Sequence, residues 1–222
     1  MIKYTLNEAR SIAIKCAVMY EEKLNNRQFI IIYRDRETNL IRHIEMVFQA
    51  KNYQHLTGLL FVDENGNTLS KRSEYFYRKC LSKKLSNNEV AFKADGTTYL
   101  KLEALPIIIS FTSISKITGD SNNRQPYLYV DKIVGGVNFC MGLRFDDRIS
   151  QYVPVSAMQR NIRELTYKPS QILAIMERQY GDKDAYRKIR HVAKGTDLGR
   201  IALPDAISSM ICLDDNVQKN DK

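Results

Sequence analysis

Between Leu6 and Leu24, apolar side chains recur at Ala9, Ile12, Ala13, Cys16, Ala17 and Tyr20, the i, i+3, i+4, i+7 spacing of an amphipathic helix. The pattern then shortens. Phe29 to Tyr33 and Ile41 to Phe48 are β-branched and aromatic runs separated by the polar turn Asp35 to Asn39, which predicts an antiparallel hairpin. A third strand is expected over His55 to Val62, closed by Asp63 to Gly66. Ser70 is placed to cap a helix running to about Lys84, with Phe76, Cys80 and Leu81 as its apolar face. Thr97 to Ile109 reads as a further helix, with Pro106 expected to kink or stop it.

Tyr127 to Val134 and Val137 to Phe145 flank Gly135-Gly136, a pair that accepts the positive φ of a tight turn and predicts a second hairpin. Strands at Tyr152 to Val155 and Gln171 to Arg178 are expected around a helical Met158 to Leu165. These elements define an α+β fold: an N-terminal helix, an antiparallel sheet built from hairpins, and inserted helices. The pattern weakens after Tyr180, so residues 1–180 are read as the folded domain. Residues 181–222 are read as a C-terminal extension ending in a frayed, polar and acidic tail from Asp214.

At 222 residues, the chain is long enough to bury a core without disulfide or zinc staples. Cys16, Cys80, Cys140 and Cys212 are dispersed, with no CxxC or Cys/His cluster, so free thiols, no structural metal and a reducing, cytoplasmic setting are expected. The charged N-terminal segment lacks the features of a secretory signal, and no run approaches the ~20 apolar residues of a membrane helix.

Charge changes the picture more. The formal net charge is +9, and residues 70–101 hold eight Lys/Arg against three Asp/Glu. Residues 151–200 hold ten against five. Clustered positive charge favours a polyanion, and RNA is the expected partner. Lys71, Arg72, Arg78, Lys79, Lys83 and Lys84 gather on one helix and form the candidate phosphate-tracking face, with Tyr75 and Tyr77 available for stacking on bases. The same helix also fits an ordinary solvated face, and Arg187 to His191 forms a second basic cluster that fits RNA binding or simple solubility.

Lys51, Tyr53, His55 and Thr57 occupy alternate positions leading into the expected third strand. In an extended segment, all four side chains would share one face. His43 and His191 take the structural default.

The H-L-T-G element at His55 to Gly58 combines with D-G-T-T-Y-L-K-L-E-A-L-P from Asp95 and Y-V-P, R-E-L-T-Y-K-P and I-L-A-I from Tyr152 onward. Together they resemble a phage-type branch of the Barnase/EndoU/colicin/RelE-like (BECR) nucleases over roughly residues 5–180. That resemblance implies a metal-independent RNase of phage or mobile-element origin with catalytic side chains on a sheet face and no cofactor. It further implies a toxin, with an antitoxin or immunity protein as partner. Cleavage without metal uses the ribose 2′-hydroxyl as nucleophile, with a base, an acid and cations supplied by the protein. His55 suits the proton transfers. Thr57 or Tyr53 suits phosphate positioning, and Lys51 or Arg34 suits charge neutralisation. The competing reading is a non-catalytic nucleic-acid- or protein-binding member of the same fold, with His55 a structural residue. A His55 opening into a concave basic surface beside a hydroxyl or cation favours the enzyme. A His55 buried against backbone favours the binder. No GxxxxGK[ST], GxGxxG, HExxH or GxSxG occurs, so nucleotide hydrolysis, dinucleotide chemistry, zincin proteolysis and α/β-hydrolase chemistry have no support.

Overall fold

The computed structural model describes residues 4–122 and 129–213. In chain order the elements are α1 (Leu6–Lys23), β1 (Arg27–Arg34), β2 (Ile41–Phe48), α2 (Ala50–Thr57), β3 (Leu60–Phe61), α3 (Ser73–Leu81), β4 (Val90–Ala91), α4 (Thr97–Ile108) and α5 (Phe111–Ile114). They continue as β5 (Ile117–Ser121), β6 (Lys132–Gly135), β7 (Cys140–Asp146), β8 (Gln151–Met158), β9 (Thr166–Gln179), β10 (Lys188–Val192) and α6 (Asp205–Ser208). The fold is α+β, as the pattern of the chain predicts.

The main sheet runs β1-β2-β8-β7-β6-β5-β9-β10, and β1 pairs with β9 as well as with β2. Seven strands therefore close on themselves, with β10 added outside β9. The pairs are antiparallel except β2 with β8, which meet in parallel at Met46 and Tyr152. That junction matters for the site. It brings the start of β8 beside the end of β2, where the chain turns into α2.

α1 starts where Thr5 and Glu8 form a capping box: the Glu8 amide donates to the Thr5 hydroxyl at 3.3 Å and the Thr5 amide to the Glu8 carboxylate at 2.8 Å. Its buried stripe is Ala9, Ala13, Cys16, Ala17 and Tyr20. The stripe packs with α2, α4 and the inner sheet residues Phe29, Ile31, Ile44, Met46 and Phe48 in one large core. A second cluster lies on the opposite face, where Ile30, Ile32, Ala174 and Met176 are covered by Tyr186, Leu198 and Ile207. The alternation of β1 thus feeds two cores. Residues beyond Gln179 add β10 to the sheet edge and lie over this second face. The tail expected from Asp214 lies outside the described residues.

Several elements differ from the sequence reading. The strand expected at His55 to Val62 is the helix α2, followed by the short strand β3, because Tyr53, Leu56 and Thr57 bury themselves at helical spacing. The expected helix at Met158 to Leu165 is the end of β8 plus a 3-10 turn, Ile162–Glu164. Met158, Ile162 and Leu165 share one small core, so a strand end and a turn mimic a helical period. α3 begins after Arg72 with no side-chain cap and ends at Leu81, shorter at both ends than expected. α4 carries Pro106 within its last turn and still reaches Ile108.

Gly135-Gly136 does sit in a hairpin, but Gly135 pairs with Cys140, so the connection is residues 136–139. Neither glycine has positive φ. A Cβ on Gly135 would lie 2.1 Å from the Phe139 carbonyl oxygen, so close backbone approach requires the glycine. All four cysteines are free, and Cys16, Cys80 and Cys140 are buried. Among the described residues no helix is long and apolar enough to cross a membrane.

Candidate nucleic-acid cleft

α2 decides which side chains reach solvent. In a helix, residues two apart point about 200° away from each other, whereas residues four apart share a face. The set Lys51, Tyr53, His55 and Thr57 therefore splits. Lys51 and His55 face outward together, while Tyr53 and Thr57 are fully buried. The Tyr53 hydroxyl donates to the Ala13 carbonyl at 2.6 Å, within a cluster of rings from Tyr20 and Tyr77. The Thr57 hydroxyl donates to the Gln54 carbonyl at 2.8 Å and accepts from the Leu59 amide at 3.1 Å. Both hold the turn of the chain and neither reaches a substrate. Arg34 lies at the far end of β1, beside the 35–40 turn, where it donates to the Asn39 carbonyl at 3.4 Å. An eight-residue strand, seven rises of roughly 3.3 Å, separates it from the α2 end of the sheet by about 23 Å.

Lys51 and His55 open into a cleft of about 1020 Å³. Its second wall is the start of α3 and the loop before it, which contribute Ser70, Lys71, Arg72, Tyr75 and Arg78. Its third is the end of β7 and the turn into β8, which contribute Arg144, Phe145, Asp146 and Arg148. Asp146 holds Arg148 at 2.9 Å and Lys51 at 3.8 Å. Among the described residues, Lys71, Arg72, Arg78 and Arg144 have no carboxylate partner. Glu74 and Asp147 also line it, so the cleft is concave and carries six cations against three carboxylates, a net positive charge.

The expected basic helix face divides. Lys71, Arg72 and Arg78 line the cleft. Lys79 is tied to Glu89 and lies 5.5 Å over the ring of Tyr75, while Lys83 and Lys84 follow the helix, exposed and away from the cleft. Tyr75 is exposed at the wall, but Tyr77 is buried and donates to Glu21 at 2.6 Å, so of the two only Tyr75 reaches the cleft.

Behind His55, the three stretches carrying the family resemblance meet. Gly58 closes α2 in the left-handed region at φ +72°, and its carbonyl accepts from the Thr98 hydroxyl at 2.8 Å. The Lys101 ammonium, one turn further along α4, donates to the His55 carbonyl at 2.9 Å and to the Val155 carbonyl on β8 at 3.3 Å. A Cβ at Gly58 would meet Lys101 Cδ and Thr98 Cα at 3.0 Å, so glycine is needed for both φ and packing. Partial desolvation within the cleft, followed by the charges of Lys101, Lys93 and Arg144, holds the His55 imidazole below the usual histidine value. At neutral pH it is an uncharged base surrounded by cations. Burial and the neighbouring Lys93 push the Lys101 ammonium down to about 8. Sequence reasoning alone does not single out Lys101 or Arg144. Lys101 stands within the D-G-T-T-Y-L-K-L stretch, whereas Arg144 joins the cleft only through the β7–β8 register.

Among the described residues, no three His, Cys, Asp or Glu side chains gather as a metal site. An α+β fold presenting a neutral imidazole in a cationic cleft has the makings of a phosphodiester-handling protein. A family model described as phage-Barnase-EndoU-ColicinE5/D-RelE like nuclease4 matches residues 13–195, and the chain belongs to that nuclease family. No curated protein and no solved structure matches it.

Proposed function

We propose that the protein is a metal-independent endoribonuclease of phage or mobile-element origin, acting in the cytoplasm as a toxin, and that the cleft at His55 is its active site. The observation that carries the proposal is the convergence of the three family-like stretches on an exposed, neutral imidazole between two cationic walls. His55 takes the proton of a ribose 2′-hydroxyl. The 2′-oxygen forms a bond to phosphorus as the P–O5′ bond breaks, leaving a 2′,3′-cyclic phosphate and a 5′-hydroxyl. The leaving oxygen receives its proton from the imidazolium so formed or from water. Arg144 and Lys51, which line the cleft with His55, serve the charge that builds on the phosphoryl oxygens. Lys101 acts from behind, fixing the backbone of His55. A toxic nuclease implies an antitoxin or immunity protein able to block the cleft.

The test is incubation of purified protein with total RNA in excess chelator, followed by analysis of the ends. Cyclic phosphate and 5′-hydroxyl termini, lost in His55→Ala, are expected. Intact RNA under all conditions would favour the non-catalytic binder, and cleavage that requires added metal would overturn the mechanism.

A further inference from the structure

We infer that the cleft takes a single strand, with unpaired bases stacked on Tyr75 and Phe145, and not a duplex. The inference rests on the reading of this cleft as the nucleic-acid site. Tyr75 and Phe145 are 43% and 41% exposed, come from two different walls, and both line the cleft. A single exposed aromatic ring is ordinary on a protein surface, but two in one cationic cleft are the pairing that binds unstacked bases.

Each ring is braced from behind. Phe145 packs edge-on against Tyr152 at 5.2 Å between centroids; Tyr75 leans on Phe61 at 5.9 Å and has the Lys79 ammonium 5.5 Å over its ring, so a base stacks on the part of the ring that Lys79 leaves open. Stacking on such a face requires bases released from a helix.

Beside the cleft lies a groove of about 550 Å³ that shares Lys51 and Glu74 with it; there Glu21 and Glu74 disfavour a phosphate, so the strand's path follows the cationic cleft itself.

The test is a fluorescence-anisotropy titration of the parental protein with a 2′-O-methyl oligonucleotide of about 12 nucleotides, a length within the span of stacking platforms. The matching duplex is titrated in parallel. Lacking the attacking hydroxyl, these strands report binding whether or not the protein cleaves RNA, so failure of the nuclease reading shows separately. The single strand is expected to bind at least tenfold more tightly than the duplex. Tyr75→Ala and Phe145→Ala should each weaken single-strand binding roughly 5- to 150-fold, the loss of one stacked base, with the salt dependence unchanged. Tyr75→Phe and Phe145→Tyr should retain affinity. Equal or tighter duplex binding overturns the inference, as do folded alanine variants that bind like the parent. The strand preference of the parental protein decides the matter if an alanine variant fails to fold.

Discussion

The two ends of the sheet each carry a charged hollow, and they differ in how the charge is used. At the α2 end, Lys71, Arg72, Arg78 and Arg144 surround His55 without carboxylate partners among the described residues. At the opposite end, a hollow of about 420 Å³ is lined by Tyr33, Arg42, Asp120, Lys132 and Lys168. There, Lys132 is held by Asp120 at 2.5 Å, Arg42 by Asp35 at 3.6 Å, and Lys168 by Glu37. Paired charges satisfy each other and leave little field for a ligand, whereas uncompensated ones raise the potential a phosphate meets. The difference is one of degree: among the described residues four cations lack a carboxylate partner at the α2 end, and Arg36 lacks one at the other.

The largest effect separating the two ends should come from His55→Ala. RNA cleavage is expected to fall about 10²- to 10⁴-fold, the usual worth of general acid–base assistance. Thermal melting should stay near the parental value because the side chain is exposed. A folded variant that cleaves at the parental rate would remove His55 from the mechanism.

Next comes binding. Arg72→Glu with Arg78→Glu should weaken RNA affinity and reduce the salt slope by roughly 0.7 for each single-strand phosphate that is no longer neutralised. Lys132→Met at the far end should change neither quantity, nor should Lys83→Gln with Lys84→Gln. Equal losses from both ends would dissolve the contrast between the hollows.

A finer test uses pH. Because the folded pKa of His55 lies below the usual value, cleavage should be lost only on acidification through that lowered pKa and should persist at pH 6.5 and above. Lys101→Met removes the foremost neighbouring positive charge, so the His55 pKa should rise and the acid limb should move up with it. NMR titration of the imidazole checks this, and an unchanged His55 titration would show that Lys101 does not act on it.

The smallest effect on activity should come from Tyr53→Phe. Losing the hydroxyl removes one of two hydrogen bonds to the Ala13 carbonyl, which still accepts the helical bond of α1, costing roughly 0.5–1.5 kcal/mol of stability by denaturant unfolding, with cleavage by the folded protein unchanged. A large kinetic loss at full stability would return Tyr53 to the catalytic set.

Local patterning along the chain was enough for the N-terminal helix, the first hairpin, the α+β class, and the prominence of His55 with its nearby cations. These are local properties: hydrophobic period, turn composition and charge are written in consecutive residues. It also misdirected at one point. Four residues at even spacing satisfy a strand, but taken in pairs they also satisfy the i, i+4 face of a helix, and only the burial of Tyr53, Leu56 and Thr57 against α1, α3 and the sheet selected the helix. Packing between distant segments settled the closure of the sheet through β1 and β9 and the arrival of Arg144 and Phe145 beside His55. Both depend on strand register between segments remote in sequence, such as Arg27 with Gln179 and Met46 with Tyr152, and register follows from which faces find a common core, a competition that no single stretch of sequence contains.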